Sequence, residues 1–195
     1  DGDAIGSSTA LYHYLRMCCK AGVKIILNDR HPGYLSFLTS DMPREDLIVH
    51  KEMPSEAETC IGDCDLLFCL DFNAFHRTDR LEGPLKASKA DKILIDHHLN
   101  PDLDAFDLSF SETDISSASE LLFHILMETG MIAHDATMLP AGSAIALMTG
   151  MTTDTNNFAN STFPSTLRMA SSLLAAGTDR DMILSNLYNQ YSENR

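Results

Sequence analysis

Positive charge is what this sequence has least of. Fourteen lysines and arginines stand against 28 aspartates and glutamates in 195 residues, a formal net charge of −14. That balance opposes broad electrostatic binding to a long duplex nucleic acid, because each phosphate neutralised needs a cation from the protein. Short oligonucleotides or small phosphorylated nucleotides stay compatible with it where cations intervene. Also lacking is any apolar run near the roughly 18 residues that read as a membrane helix, so no membrane partner is expected. The five cysteines (Cys18, Cys19, Cys60, Cys64 and Cys69) are odd in number and contain no C-x-x-C pair. Most lie inside apolar segments, the pattern of reduced core thiols in a cytoplasmic protein. A zinc site on Cys60 and Cys64 is the lesser alternative. No internal repeat or low-complexity tract interrupts the chain.

What is present is apolar patterning. With 44% hydrophobic and 22% charged residues, the chain has core enough for one large domain or one and a half. Nothing forces oligomerisation, and a homodimer stays open. Ser7 or Ser8 can cap a helix with Leu11, Tyr14, Leu15 and Cys18 on one face, ending at Gly22. Val23–Leu27 reads as a short strand, Pro32–Leu38 as a brief helix, and Leu47–Val49 as a further strand before the acidic stretch Pro54–Thr59. Asp65–Leu70 and Ile93–Ile95 are strands separated by a polar loop carrying Arg77 and Arg80. Ser117 and Glu120 have capping-box spacing and lead a helix toward Gly130. Ala141–Met148 reads as a buried helix opened by Pro140. Thr166–Ala176, capped by Ser165 and closed by Gly177, is another, and Asp179 opens a last one through Tyr191. The alternation predicts an α/β domain with a mostly parallel, doubly wound sheet and flanking helices.

Four of these segments end in metal-capable side chains. Lys92-Ile-Leu-Ile-Asp96-His97-His98 and Cys64-Asp-Leu-Leu-Phe-Cys-Leu-Asp71 are strands running into carboxylates and imidazoles, at the strand ends where open α/β sheets keep their sites. Asp1-Gly-Asp3 and Met151-Thr-Thr-Asp154 supply three more carboxylates. Taken singly, Asp1-Gly-Asp3 is an ordinary turn and Asp154 an ordinary helix end. Two adjacent histidines after a buried strand are harder to explain as core, and four such endings point to a shared site. Asp oxygens are hard ligands and imidazole is borderline, a mixture suited to Mn²⁺, Mg²⁺ or Fe²⁺. Two such ions need a carboxylate bridge and can hold a hydroxide for attack on phosphorus; Asp71 is placed to be that bridge. Arg77 and Arg80 either hold substrate phosphate or balance Asp79 and Glu82, the latter reading being favoured for Arg80.

D-G-D-A-I-G-S, L-D-F-N, I-D-H-H and T-T-D-T, in this order, resemble the motifs of the DHH phosphoesterase superfamily, in particular its bacterial nanoRNase (oligoribonuclease) and pAp-phosphatase branch. The resemblance implies that Asp1 serves one metal, Asp3 the other and Asp71 both, with His97 and Asp154 completing the second site. It implies further that His98 touches the scissile phosphate and that Asp96 orients the histidine pair. It places a DHH catalytic domain over residues 1–190, with a first strand and its histidine expected upstream. Residues 191–195 would begin a linker to a smaller substrate-binding domain. Asn156 stands where relatives commonly have glycine, and Ala159 where many carry an arginine. The implied activity is Mn²⁺-dependent two-metal hydrolysis of short nucleotides, as a nanoRNA exonuclease or a 3'-phosphoadenosine 5'-phosphate phosphatase. Alternatives are a cyclic-dinucleotide phosphodiesterase, an inorganic pyrophosphatase, an aspartyl-phosphate phosphatase of the haloacid-dehalogenase type, and a metal-stabilised regulatory domain without turnover.

Overall fold

The structure, a computed structural model, describes residues 1–19 and 22–188. Helix α1 (Gly2–Cys18) begins earlier than a Ser7 or Ser8 cap predicts, because Asp1 is the cap: its side chain accepts the Asp3 N–H at 2.9 Å. Ser7 lies inside the helix, its hydroxyl donating back to the Asp3 carbonyl at 2.8 Å, so it does not compete with the backbone. The helix ends at Cys18, before Gly22.

Strands β1 (Ile25–Leu27) and β2 (Leu47–Val49) pair in parallel with Ile26 opposite Ile48. Between them Gly33–Leu38 forms a 3₁₀ turn. The acidic stretch is a helix, α2 (Pro54–Asp63), with proline in its first turn and Ala57 and Ile61 buried one turn apart. Strands β3 (Leu66–Leu70), β4 (Asp91–Asp96) and β5 (Leu108–Ser111) form a second parallel sheet in that order. Leu70 stands opposite Ile95, and Ile95 opposite Phe110. The α/β class with parallel strands is as expected, but among the described residues the strands divide into two sheets. The polar loop after β3 is structured, as a 3₁₀ stretch Phe75–Leu81 running into α3 (Glu82–Ala87). Strand β5 is an addition: Leu-Ser-Phe-Ser is short and only half-buried, so its sequence carries little strand signal.

Helix α4 (Ala118–Met127) is capped by Ser117, whose hydroxyl accepts the Glu120 N–H at 3.0 Å. The reciprocal half of a capping box is not made, since the Glu120 carboxylate turns to the Ser116 N–H at 3.1 Å. The helix stops at Met127, short of Gly130. Helix α5 (Ala141–Asp154) runs on past Met148. Threonines hid that extension, yet their hydroxyls bond back along the helix: Thr149 to the Ile145 carbonyl and Thr153 to the Gly150 carbonyl, both at 2.8 Å. Helix α6 (Pro164–Ala175) starts at its proline with Phe163 in the cap position, not Ser165, and the Thr166 hydroxyl accepts the Phe163 N–H at 3.0 Å. Gly177, at φ 91°, closes it in the left-handed region. Asp179 accepts the Met182 N–H at 2.9 Å at the start of α7 (Arg180–Tyr188). Tyr191 and the expected linker, residues 191–195, lie outside the described residues.

The main core lies between the helices. Leu122, Leu147, Met148, Met151 and Met169 are fully buried in one cluster with Leu11, Leu70 and Ile95, so these methionines serve packing. Helices α1 and α5 approach each other closely through Gly6, where an added Cβ would stand 2.7 Å from the Ala146 carbonyl oxygen. The Ser143 hydroxyl donates to the Ala10 carbonyl at 2.7 Å across the same contact. This packing brings the first turn of α1 and the last residue of α5 to the C-terminal ends of β3 and β4. No helix among the described residues is long and apolar enough to cross a membrane.

Candidate metal centre and substrate cleft

Two strand ends and two helix ends meet here. Asp71 follows the last residue of β3; its N–H still donates to the Ile95 carbonyl at 3.1 Å, but its φ of 62° turns the chain out of the sheet. A non-glycine residue in that region carries backbone strain, which recurs at functional sites. Strand β4 ends in Asp96, fully buried, with His97 and His98 directly after it. Helix α1 brings Asp3 and helix α5 brings Asp154. His97 Nε2 lies 3.3 Å from Asp154 Oδ2, 3.5 Å from Asp71 Oδ1 and 3.9 Å from Asp3 Oδ2. His98 Nδ1 lies 3.8 Å from the same Asp71 oxygen. Two metal-capable clusters result, Asp3–His97–Asp154 and Asp71–His97–His98, joined at His97. Neither includes Asp1, whose carboxylate caps α1.

Asp3 is fully buried, and its two oxygens accept the Ala118 N–H at 2.6 Å and the Ser119 N–H at 2.9 Å. It thus binds the positive end of α4. Even so, burial and then the charge of Asp71 push its carboxyl up to about 7. Burial likewise raises Asp154, against the opposing charge of His97. Burial opposes protonation of His97 too, but the nearby carboxylates of Asp71, Asp3 and Asp154 outweigh it and raise its pKa. Three carboxylates around one imidazole leave an excess of negative charge in a buried place. Asp71 Oδ1 is buried there with no hydrogen-bond donor, a costly state for a carboxylate oxygen. A divalent cation answers both features, and this oxygen and nitrogen donor set suits Mn²⁺, Mg²⁺ or Fe²⁺. Among the described residues, Cys60 and Cys64 belong to no cluster of three metal-capable side chains; burial pushes both thiols up.

Asp96 engages His98 with both oxygens, accepting its backbone N–H and meeting its ring Nδ1, each at 2.8 Å. The ring contacts of His97 are instead with Asp3, Asp71 and Asp154. Arg77 donates to Asn73 Oδ1 at 3.3 Å, and Asn73 Nδ2 donates to the Leu99 carbonyl at 2.8 Å, tying the loops after β3 and β4 together. Arg80 is engaged elsewhere, 3.9 Å from Asp29 and 4.0 Å from Asp79.

A cleft of about 440 Å³ opens beside this centre. Arg77, His97 and His98 form its polar side, while Leu99, Ile115 and Phe163 line it with apolar surface, along with Thr113 and Ser161. Sequence reasoning located the polar side but missed the apolar one. Thr113 and Ile115 sit in an irregular segment with no periodicity to read. Phe163 had a usable signal, since a residue before proline is held extended and so stays out of the helix that follows. Past α5, Asn156 and Asn157 take left-handed φ values of 46° and 57°, as the tolerance of asparagine allows. Arg180 from α7 reaches this loop, bonded to Asn157 Oδ1 and 5.6 Å from the Phe158 ring centroid.

No curated protein matches the chain. The crystal structure of an exopolyphosphatase-related protein from Bacteroides fragilis superposes with a TM-score of 0.89 at 36% identity, over 99% of this chain and 54% of that one. The present chain therefore spans about half the length of that protein. The family model described as "DHH family, N-terminal domain" matches residues 1–178. With the Asp-His-His run at the centre of its acidic cluster, the chain belongs to the DHH family.

Proposed function

We propose that the chain is the catalytic domain of a metal-dependent phosphoesterase that hydrolyses short nucleotides, as a nanoRNA exonuclease or a 3'-phosphoadenosine 5'-phosphate phosphatase. One observation carries the choice of substrate: Leu99, Ile115 and Phe163 line the same cleft as Arg77, His97 and His98. Leu99 is 72% exposed there. An inorganic phosphate chain offers only anionic oxygens and gains nothing from an apolar wall, whereas a nucleotide brings a base able to stack on an aromatic ring.

Two divalent ions are proposed, most favourably Mn²⁺. Asp3, Asp71, His97 and Asp154 would hold one; for the other the family resemblance implies Asp71 with Asp1, whose carboxylate caps α1 outside both clusters. When bound, the ions supply Lewis-acid polarisation of the phosphoryl oxygens and a water acidified to hydroxide. The protein's own residues do the rest. A carboxylate only accepts, so Asp96 holds the proton of His98 on Nδ1 and leaves Nε2 free for the scissile phosphate or the leaving oxygen. Arg77 adds positive charge beside that phosphate. The five free cysteines accord with a reducing, cytoplasmic setting, and the net charge with short substrates rather than duplex nucleic acid.

A second reading is hydrolysis of pyrophosphate or polyphosphate. It is favoured by the description of the B. fragilis protein as exopolyphosphatase-related. Assaying the complete polypeptide with Mn²⁺ against pAp, di- to pentanucleotides, cyclic dinucleotides, pyrophosphate and polyphosphate separates the two. Highest kcat/KM on pAp or the short oligonucleotides is expected. Highest kcat/KM on an inorganic substrate would replace the proposal with the second reading, and no turnover on any of them would leave a metal-stabilised regulatory domain.

A further inference from the structure

Glu120 lies on α4, fully buried, and is absent from both metal-capable clusters. Its Oε2 alone accepts three hydrogen bonds. Ser116 contributes its N–H at 3.1 Å and its hydroxyl at a shorter distance, and the Thr166 hydroxyl donates at 2.7 Å. Thr166 in turn accepts the Phe163 N–H at 3.0 Å. His124 Nε2 stands 3.6 Å from Oε1, longer than a hydrogen bond. Burial works to raise this carboxyl, yet His124 and the hydroxyls of Ser116, Ser165 and Thr166 outweigh it and hold it at about 2.

The partners of this carboxylate are what give it a role. Ser116 directly follows Ile115, and Thr166 fixes the backbone of Phe163; Ile115 and Phe163 both line the cleft. These segments lie far apart in sequence, and both turn irregularly, without a ladder to hold them.

We propose that Glu120 is a positioning residue: through Ser116 and Thr166 its carboxylate braces the two loops that carry Ile115 and Phe163, and so sets how tightly the non-reacting part of the substrate is held. The brace itself is independent of the reaction; only its effect on affinity rests on the proposed nucleotide substrate. Glu120 belongs to neither the metal-capable clusters nor the cleft lining, so loosening the brace at Ser116 or Thr166 should act on binding and leave the chemical step alone.

Glu120→Ala strands the buried Ser116 N–H and endangers folding, so smaller changes are the better probes. Thr166→Val keeps the shape and removes both hydroxyl links, Ser116→Ala removes one donor, and Thr166→Ser restores the hydroxyl. In the complete polypeptide, amide hydrogen exchange followed by mass spectrometry should show that Thr166→Val accelerates exchange at residues 113–117 as well as 161–166. Ser116→Ala should accelerate the same two segments, and Thr166→Ser should protect both. With pAp as substrate, KM should rise about tenfold in Thr166→Val, with kcat held near the parent value and KM recovered in Thr166→Ser. Acceleration confined to the substituted loop would overturn the brace. A loss of kcat at unchanged KM would overturn the role in binding. Absence of pAp turnover in the parent protein would count against the proposed substrate, while the exchange result would still decide the brace.

Discussion

His98 Nδ1 lies 2.8 Å from Asp96 Oδ1, and the other oxygen of the same buried carboxylate accepts the His98 backbone N–H at 2.8 Å. Ring and backbone are therefore held by one group, which fixes both the tautomer and the direction of Nε2. Asp96→Asn keeps the shape but can present an N–H toward Nδ1. It should lower kcat about 10–100-fold while metal content, read by elemental analysis, stays at the parent level. Metal loss equal to the loss of rate would show that Asp96 acts through the metal centre instead.

The two histidines should separate in the same assays. His97 Nε2 faces three carboxylates within 4 Å, so His97→Ala should lower metal occupancy. His98→Ala should retain metal and lose rate, because Asp96 already commits its Nδ1. Equal metal loss in the two variants would refute this division.

Asp71→Ala removes the oxygen that approaches both histidines. Its loss of turnover should exceed that of Arg77→Ala, for which removal of one electrostatic donor predicts about 10²–10³ in kcat. Steady-state rates at saturating Mn²⁺ make the comparison. Near-normal turnover of Asp71→Ala would be incompatible with a bridging role.

Asp3 ties metal binding to pH. Its folded carboxyl titrates at about 7 against an ordinary 3.8, so between those values the native state keeps a proton that the unfolded chain has released. The contribution to stability is full below 3.8 and is lost as pH rises through about 7. Glu120 runs the other way: held at about 2 against 4.5, it stabilises above 4.5 and is lost as pH falls toward 2. Above about pH 5 Asp3 is therefore the carboxylate to watch. With chelator present, Tm should decline from pH 5 to 7, about the window set by these values, and the increment in Tm on adding Mn²⁺ should grow over the same range. A metal increment independent of pH would contradict the assignment.

Gly150→Ala tests the close packing behind the centre. An added Cβ would overlap Ser119 Oγ and stand 2.8 Å from Asp3 Oδ1. The overpacking should cost about 1–3 kcal/mol in chemical denaturation, and displacement of Asp3 should weaken Mn²⁺ binding in titration calorimetry. Unchanged stability and affinity would mean that α4 can move away freely.

Much of the centre was legible because its residues sit where local patterns stop. Asp71 and Asp96-His97-His98 follow apolar β-forming runs, and a run of that kind needs nothing distant to be read as a strand with its end at the rim of a sheet. Asp154 was readable as an ending, though the helix it closes was hidden by threonines whose hydroxyls bond back to the turn before them. Packing alone decided the rest. Asp3 looked like a helix-start charge, and only the approach of α1 to α4 makes it the acceptor for Ala118 and Ser119. Glu120 looked like half of a capping box, and only the docking of α6 turns it toward Thr166. Periodicity records what the backbone and the nearest few side chains require; which distant donor a buried carboxylate finds depends on how the elements pack, and no local pattern encodes that.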